Sequence, residues 1–457
     1  MAHEDIELEA PGGCDSGPSQ HEESALGDWF EATEILKKAH FGDIARLMWH
    51  CPDLDRAGDG VGDECRDALH LFRRIWSRST KIASNTVLEV QDTAQPRAYG
   101  ECVLITQDDI PALARGCAVL GTGGGGEVTT SALIAHQALS ECGPVEVVTL
   151  ADLPPEGILM PVGMIGAPSV SIEKLSSGTE IGSLRRLVEH HTGQPVVALM
   201  VSEIGGGNGV LPAAWAARSG LPLLDADGMG RAFPQVDMMS MNVAGLPPSL
   251  IVLADERDNA IIVQAVDGHW AELIARSVTE VFGGSAAMSD YVMPVQRARG
   301  AIVEGSVSNA LRIGRAVVAS EHPVEGLLAA VQGIKLIEGK VVDVQRRTAG
   351  GFVRGSVVVE GYGADQGRLV RIEIQNENLV ALEDGQVRVI VPDLITLVDS
   401  QTADAVATET VRYGQRVAVI AMPCDPIWRT KRGLEVAGPR VFGYDFDYVP
   451  VEVLHAS

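Results

Sequence analysis

Short apolar runs alternate with helical segments along the chain from about residue 97 to residue 333. The apolar runs are rich in β-branched residues and show no polar alternation, as expected for strands buried on both faces; they are VEVVTL, ILMPVGMIG and PVVALMVSEIG. The segments SLRRLVEHHTG and PAAWAARSG have helical spacing, and each ends at a glycine, which is a common helix terminator. This alternation of strand and helix predicts an α/β domain.

After residue 333 the pattern changes to strands in which apolar and polar residues alternate, such as FVRGSVVVEG and GRLVRIEIQNENLVAL. Turn residues (Gly, Asn and Asp) separate these strands, so a β-rich C-terminal domain is predicted. We divide the chain into an N-terminal extension (residues 1–95), an α/β domain carrying the site (96–275) and a β-rich domain (276–457). The extension is predicted to be disordered at first and helical afterwards.

An acidic segment of the extension, residues 53–64, has the length of a calcium-binding EF-hand loop. Asp53, Asp55 and Glu64 occupy positions one, three and twelve of such a loop, and Gly58 occupies position six. However, Ala57 at position five and Gly60 at position eight depart from the pattern, and the chain contains only one copy. A solvated acidic loop between two helices is therefore the favoured interpretation.

The richest concentration of polar and glycine residues between apolar segments lies between Glu203 and Met239. Glu203 directly follows the buried strand VVALMVS, at a position where open α/β sheets bind their ligands. Residues 205–207 are all glycine and can form a nest of backbone amides, and Asn208 can both donate and accept hydrogen bonds. Glu203 is therefore a candidate catalytic residue, and Gly206 and Asn208 are candidates for substrate binding.

A second strand in the same stretch, LPLLDADGMG, ends with Asp225 and Asp227, which can share a proton or a metal ion. Arg231 follows closely enough to neutralise one of them. A capped turn held by an ion pair is the alternative structural interpretation. Carboxylates at adjacent strand ends, with glycine amides and an arginine, suit hydrolysis, in which one group activates water while amides hold a developing oxyanion. We predict Asp225 and Asp227 as catalytic and Arg231 as substrate-binding.

A glycine run at residues 121–126 matches GxGxxG, and Glu146 follows about twenty residues later, as in dinucleotide-binding proteins. The preceding segment is predicted to be a helix instead of a strand, so a nucleotide cofactor is not expected. Two interpretations remain: a tight corner between helices, or a loop whose amides face a substrate at the start of the next helix. In the second interpretation, Gly123, Gly124 and Gly125 bind the substrate. Consecutive glycines lower the stability of a fold through chain entropy, so their presence indicates that another group must approach the backbone closely.

Two further polar segments each allow two interpretations. Glu173 and Lys174 follow a strand that ends at Gly166, and form either an exposed ion pair or a pair that orients the substrate. Residues 376–378 (Asn-Glu-Asn) either form a polar hairpin turn or close one side of a site at the domain boundary.

The charge and composition of the chain restrict its partners. The formal net charge is −25, which disfavours nucleic acid and anionic membrane surfaces. The seven cysteines form no CxxC pair and no zinc-finger spacing, which is typical of reduced thiols in the cytosol. The acidic N-terminus does not resemble a signal peptide, and no apolar run reaches membrane-spanning length. We therefore expect a cytoplasmic protein.

Several motifs occur together in a characteristic order: GTGGGG, GAPSVSIEKL, EIGGGN, GLPLLDADGMGRAFP, GKVVDVQRRTAGGF, QNENLVAL, VPDLITLVD and GPRVFGYD. Over roughly residues 100–455 the chain resembles the S-methyl thiohydantoin desulfurase domain family. The resemblance implies an α/β domain followed by a β-rich domain. It also implies hydrolytic removal of sulfur, as a thiol, from a five-membered thiohydantoin-type ring, and an association with hydantoinase/oxoprolinase-type proteins.

These observations lead to two main hypotheses. The first is a hydrolase of a small cyclic amide or thiohydantoin, in which Glu203 or the two aspartates activate water, directly or through a divalent metal. The second is a non-catalytic subunit or scaffold for a hydantoinase-like partner, with purely architectural glycine turns. A dinucleotide-dependent enzyme is a third. The sequence leaves open whether the chain forms a homo-oligomer.

Overall fold

The computed structural model describes residues 103–455 except 167–169, 171–173, 175 and 350–351. The N-terminal extension with its calcium-loop-like segment lies outside the described residues, and so does Glu173.

The strands of the described region fall into two sheets. They are β1 Val103–Ile105, β2 Val145–Val148, β3 Ile158–Gly166, β4 Val196–Val201, β5 Leu223–Asp227, β6 Ile251–Ala254, β7 Ala260–Val263, β8 Ser285–Ser289, β9 Met293–Pro294, β10 Val303–Glu304, β11 Ile334–Ala349, β12 Phe352–Gly361, β13 Leu369–Gln375, β14 Glu377–Glu383, β15 Gln386–Ile390, β16 Leu394–Asp399 and β17 Arg416–Met422.

Most α-helices precede the second sheet. They are α1 Ile110–Leu120, α2 Val128–Cys142, α3 Glu180–Thr192, α4 Gly207–Ser219, α5 Ser240–Val243, α6 Gly268–Val281, α7 Val295–Ala298, α8 Ser306–Ala319, α9 Pro323–Val331, α10 Lys431–Ala437 and α11 Val451–Leu454.

The first sheet has the strand order β1-β2-β5-β4-β3-β8-β6-β7, with β10 beside β5 and β9 beside β3. Its centre, β2-β5-β4-β3, is parallel, and the flanking strands β1, β8, β6 and β7 pair in antiparallel fashion. The parallel strands are almost wholly buried, which explains their uninterrupted apolar sequences. Because β3, β4 and β5 run in the same direction, their carboxyl ends lie at one edge of the sheet, where Glu203 and Asp227 are found.

The second sheet is antiparallel, with the order β15-β14-β13-β12-β11-β17-β16. It curls, so that β14 also contacts β16. Buried residues alternate along β13, which agrees with the alternating sequence pattern. This sheet begins at β11, whereas β8, β9 and β10 still belong to the first sheet.

The α/β architecture with a β-rich C-terminal part is thus confirmed. The boundaries that we set at residues 95/96 and 275/276 stay a prediction; the second lies within α6. The largest cluster of buried apolar residues joins the two sheets. It extends from Leu199 on β4 to Leu379 on β14 and to Trp428 near the C-terminus. The second sheet is therefore packed directly on the part of the chain that holds the candidate site.

Helices α1 and α8 cross at two glycines that permit backbone contact. A Cβ atom added to Gly116 would lie 1.8 Å from the carbonyl oxygen of Ala310, and one added to Gly314 would lie 1.8 Å from that of Ala112. Neither backbone oxygen can move away without moving its helix. This crossing fixes α1, whose C-terminal end leads into the glycine run at residues 121–126.

We expect Gly314→Ala to destabilise the protein by about 1–3 kcal/mol, because the added methyl group overpacks the crossing. The matched control is Gly182→Ala in α3, where an added Cβ meets nothing within 4 Å. That control should stabilise the protein by roughly 0.5–1 kcal/mol through the loss of glycine's chain entropy. Urea denaturation of both variants measures the difference, and equal stability of the two would contradict the described crossing.

Candidate active site

Two glycine loops contact each other at the carboxyl edge of the first sheet. We name residues 121–126, between α1 and α2, the first glycine loop, and residues 203–207, between β4 and α4, the second. The amides of Gly206 and Gly207 donate hydrogen bonds to the carbonyl oxygens of Cys117 and Gly126, at 2.7 and 3.0 Å. The Asn208 amide donates to Gly125 at 3.1 Å. The two loops are therefore joined backbone to backbone.

Side chains would prevent this contact. A Cβ atom at Gly125 would lie 2.2 Å from the Gly205 oxygen, and one at Gly206 would lie 2.4 Å from the Gly125 carbonyl carbon. Both residues also have positive φ, 77° and 67°, which favours glycine. At Gly124 an added Cβ would lie 2.2 Å from the Glu377 carboxylate. The glycine runs thus satisfy a need for close backbone approach, as the sequence suggested.

The predicted amide nest at residues 205–207 is placed differently. Gly206 donates to Cys117 in α1 and Gly207 donates to Gly126 in the first glycine loop, so their N–H groups are not available to a ligand. Gly124 donates to Gly121, and the Gly123 carbonyl oxygen accepts from Thr408. In contrast, the N–H groups of Gly125 and Gly126 meet no acceptor among the described residues, and both glycines line an open cleft. The available amides therefore belong to the first glycine loop.

The cleft is open to solvent, and its cavity volume is about 110 Å³. Its polar lining comprises Ser202, Glu203, Asn208, Gln235, Arg276, Asp290, Asn376 and Glu377. Its apolar lining comprises Met164, Ile165, Met229, Phe233, Pro234, Val236, Met239 and Met288. An apolar wall with a few converging polar groups is the usual composition of a small-molecule site.

Glu203 is the predicted catalytic residue that lines this cleft directly. Its carboxylate accepts hydrogen bonds from the Phe233 amide at 3.0 Å and the Asn208 side chain at 2.7 Å. Burial raises the pKa of Glu203 to about 7, although these two hydrogen bonds act in the opposite direction, and the charge of Asp227 adds to the rise. A carboxyl that titrates near neutral pH is suited to general-base catalysis.

Asn208 orients Glu203. Its side-chain oxygen accepts from the Met164 amide at 2.8 Å, and its nitrogen donates to the Met164 carbonyl and to Glu203. Both hydrogens of its amide group are therefore engaged within the protein. The structure places Asn208 as a positioning residue between β3 and Glu203, whereas we expected it to bind the substrate.

Asp227 does not line the cleft. One oxygen, Oδ2, accepts from the amides of Ile204, Met229 and Gly230 at 2.8–3.0 Å. The other, Oδ1, is buried and has no hydrogen-bond partner among the described residues. Burial raises the pKa of Asp227 to about 7 despite the three amides. Asp227 thus joins Ile204, the residue after Glu203, to the turn that follows β5. It stabilises the site without lining the cleft.

Asp225 is separated from the other two carboxylates. It accepts from the Ser308 amide at 2.9 Å and from the Ser308 hydroxyl at 2.6 Å, and so caps the first turn of α8. Asp225 and Asp227 bond to different partners, and among the described residues no hydrogen bond or common partner joins their side chains.

Arg231 is fully buried and lies outside the cleft lining. Its guanidinium donates to the carbonyl oxygens of Ala232, Pro392 and Asp393 and to the Thr122 hydroxyl. Burial lowers the pKa of Arg231 to about 10. The side chain therefore joins the first glycine loop to the loop between β15 and β16 of the second sheet. In this position it has a structural role, whereas we expected it to bind the substrate.

Lys174 is likewise placed away from this cleft. Its ammonium group forms an ion pair with Glu256 at 2.7 Å and donates to the carbonyl oxygens of Phe282 and Ser285. The predicted partner Glu173 lies outside the described residues.

Glu377, at the start of β14, reaches the cleft from the second sheet. It is 2% exposed, and its Oε2 atom has no hydrogen-bond partner among the described residues. Burial and then the charge of Glu203 raise the pKa of Glu377 well above the usual range, and Arg231 acts in the opposite direction. Both interpretations of residues 376–378 fit: Asn376 lies at the turn between the antiparallel strands β13 and β14, and Asn376 and Glu377 line one side of the cleft.

The neighbouring asparagines hold this corner in place. The Asn378 amide donates to the Thr122 carbonyl at 2.8 Å, and its side chain donates to the Ile395 carbonyl. Asn376, with a positive φ of 58°, lines the cleft next to Glu377.

Sequence reasoning missed Asp290, which follows β8. It is fully buried, lines the cleft and accepts from the Ser202 hydroxyl at 3.1 Å. A usable signal was present, because Ser289-Asp290 follows a short apolar run just as Ser202-Glu203 follows β4. Burial raises the pKa of Asp290 to about 7.

Within the described residues, no three His, Cys, Asp or Glu side chains are grouped so that they could hold a metal ion. A divalent metal stays a prediction, as does the absence of a nucleotide cofactor. No helix in the described part of the chain has the length and apolar character needed to cross a membrane.

The chain belongs to the S-Me-THD-like family. Residues 108–265 match the N-terminal domain of this family and residues 266–451 match its C-terminal domain. The family resemblance inferred from the motifs is thereby confirmed. None of the curated proteins is similar enough in sequence to count as a relative.

The fold is also found in a crystal structure of a protein from Chromobacterium violaceum. That protein is 24% identical, and the two structures superpose with a TM-score of 0.66 over 76% of this chain and 100% of the other. At this level of identity the likeness supports the fold alone.

The buried carboxyls should make stability depend on pH. A carboxyl whose pKa is higher in the folded than in the unfolded protein binds protons more tightly when folded, so unfolding becomes easier as pH rises. For Glu203 the rise runs from 4.5 to about 7. Between these values we expect the free energy of unfolding to fall, by an amount on the order of 1–3 kcal/mol for this residue.

Glu203→Gln isolates that contribution, because glutamine stays neutral at every pH. Thermal unfolding at pH 5 and pH 8, at constant ionic strength, should show that the variant gains stability relative to the wild type as pH rises. A difference between the two proteins that does not change with pH would show that Glu203 has an ordinary pKa.

Proposed function

We propose that the protein is a hydrolase of a small cyclic amide or thiohydantoin-type ring, and that it releases a thiol from an S-methyl thiohydantoin or a related compound. One observation carries the proposal: two buried carboxyl groups, Glu203 and Glu377, line the same cleft, and the charge of Glu203 adds to the rise in the pKa of Glu377. Membership of the S-Me-THD-like family supports the choice of ring.

Glu203 acts as the general base. Its pKa of about 7 leaves a substantial ionised fraction at neutral pH, and its bonds to Asn208 and Phe233 fix its orientation. It takes a proton from water as the water oxygen bonds to the ring carbon that carries sulfur. The electron pair of the C=N bond moves to the ring nitrogen. The N–H groups of Gly125 and Gly126, which meet no acceptor in the described part of the chain, are suited to stabilise the charge there.

Glu377 acts as the general acid, because its raised pKa keeps it protonated at neutral pH. The electron pair on nitrogen re-forms the C=N bond as the C–S bond breaks, and Glu377 gives its proton to the departing sulfur. The thiol leaves, and the hydroxylated ring tautomerises to the hydantoin. Transfer of the proton from Glu203 to Glu377, directly or through solvent, restores the starting state. Two carboxyls whose environments separate their pKa values are a common basis for acid and base roles.

Removing either carboxyl should suppress the reaction. With S-methyl thiohydantoin as substrate and a thiol reagent as detector, we expect Glu203→Gln and Glu377→Gln each to lower kcat by about 100- to 10,000-fold. The control is Glu180→Gln, which also replaces a buried glutamate but lies outside this cleft, bonded to Ser176, Ser177 and Gly178.

The control variant should retain near wild-type turnover. Absence of thiol release by the wild type would reject the proposed reaction. Equal activity of Glu203→Gln and Glu180→Gln would reject the role of Glu203 alone.

A partner-binding role is a second candidate, and an exposed apolar face of α6 favours it. Trp270, Leu273 and Val281 lie on one side of this helix and are 51%, 46% and 83% exposed. Ile261 on the edge strand β7 is also exposed. Sedimentation of the chain alone and mixed with a hydantoinase/oxoprolinase-type protein would distinguish a homo-oligomer, a mixed complex and an isolated subunit.

A further inference from the structure

Asp290 brings a third carboxyl to the cleft, and the mechanism above does not use it. It follows β8, on the opposite side of β3 from β4 and Glu203. Its side chain is fully buried and lines the cleft. Of its two oxygens, Oδ1 accepts from the Ser202 hydroxyl at 3.1 Å, and Oδ2 has no hydrogen-bond partner among the described residues.

An unpartnered carboxylate oxygen at a fully buried position needs an explanation, since buried polar groups in folded proteins are almost always paired. Asp393 and Asp255 show the ordinary situation in this chain. Both are buried, and both carboxylate oxygens of each accept hydrogen bonds from neighbouring groups. Asp227 also has an unpaired oxygen among the described residues, but Asp290 differs from it because the Asp290 side chain lines the cleft.

The ligand group that complements this oxygen is a hydrogen-bond donor without a full charge. Burial raises the pKa of Asp290, which shows that the site solvates a charge poorly. The lining of the cleft also contains apolar side chains, among them Met164, Ile165 and Met288. A planar amide-type N–H group fits both conditions, because it donates one directed hydrogen bond and leaves the rest of the ring against apolar side chains.

The position of Asp290 relative to Glu203 sets the orientation of such a ring. Ser202, which holds Asp290, is the residue directly before Glu203, so the two carboxyls are linked through adjacent residues at the end of β4. A ring whose N–H group meets Asp290 is therefore held within the same cleft as the proposed base. Two fixed polar contacts of this kind hold the ring in one orientation, with the reacting carbon aligned to the base.

We propose that Asp290 is a specificity-determining residue that accepts a hydrogen bond from a ring N–H group of the substrate, and so selects cyclic amides with an unsubstituted ring nitrogen. The assignment rests on the proposed function for the identity of the ring. Asp290 binds and orients, and Glu203 and Glu377 carry the proton transfers.

The test compares S-methyl thiohydantoin with its N-methylated analogue, using the full chain. For the wild type we expect kcat/KM to be lower for the N-methylated ring by roughly 100-fold, because the site loses its donor. Leucine in Asp290→Leu branches at the same carbon as aspartate, with two larger methyl groups in place of the oxygens, and accepts no hydrogen bond. In that variant the ratio of kcat/KM for the N–H ring to kcat/KM for the N-methylated ring should fall below about tenfold. The change should come from a higher KM for the N–H ring, with kcat changed little.

Asp290→Asn keeps one oxygen acceptor and is the milder variant if leucine disturbs folding; its preference should lie between those of the wild type and Asp290→Leu. The control is Asp255→Asn, a buried aspartate at the end of β6 whose bonds stay within its own turn. It should keep the wild-type preference. Because Asp290→Leu does not enlarge the site, a preference caused only by the size of the methyl group would persist in it and would overturn the proposal.

Calorimetric binding of hydantoin and N-methylhydantoin separates this inference from the proposed reaction. Preference for the N–H ring that disappears in Asp290→Leu supports the inference even if the wild type releases no thiol. Turnover by the wild type with an unchanged preference in both Asp290 variants rejects the inference and leaves the reaction standing. Failure of the wild type to bind either ring rejects both.

Discussion

The contact between the two glycine loops is the constraint on which the site depends. Residues 121–126 and 203–207 approach so closely that a single methyl group at Gly125 or Gly206 would overlap backbone atoms. The loops are joined by the amides of Gly206, Gly207 and Asn208. This contact connects the end of α1 to the end of β4 and determines where Glu203 lies. Four consecutive glycines lower stability through chain entropy, and the close packing explains why side chains are not tolerated there.

The second sheet completes the enclosure and changes the chemistry of the carboxyls. Its residues contact the first glycine loop at Thr122 and Gly123, and Arg231 extends to Pro392 and Asp393. Burial raises the pKa values of Glu203 and Asp290 to about 7, and raises that of Glu377, on the second sheet, well above its usual range. Burial thus turns ordinary carboxylates into groups that exchange protons near neutral pH. The packing of the two sheets and the proposed reactivity have the same physical origin.

Local patterns in the sequence predicted the parts of this arrangement that depend on neighbouring residues. The apolar runs identified β3, β4 and β5, and the position of Glu203 after β4 placed it at the correct edge of the sheet. The glycine runs indicated close backbone approach, but not which backbone approaches them. We expected a ligand to meet the amides of Gly206 and Gly207, but these amides donate to Cys117 and Gly126, which lie 89 and 81 residues earlier in the chain.

The remaining differences have the same cause. Arg231 bonds to carbonyl groups 161 and 162 residues further along the chain, and Asp225 bonds to Ser308, 83 residues away. Neither partner is marked by periodicity or motif. Asp290 could have been found by extending the strand-end argument to residues 285–290, whereas the burial of Glu377 required knowledge of how the second sheet packs. Contacts between residues far apart in the chain decide which polar side chains face the cleft. Local patterns in a single sequence do not reveal such contacts.

The pH dependence of kcat/KM for thiol release tests the central claim, that burial makes Glu203 a base near neutral pH. The account predicts that kcat/KM increases about tenfold per pH unit up to an inflection near pH 7, as Glu203 loses its proton. At higher pH it should decrease as Glu377 also ionises. An acidic inflection near the ordinary glutamate value of 4.5, or no acidic inflection at all, would contradict the account.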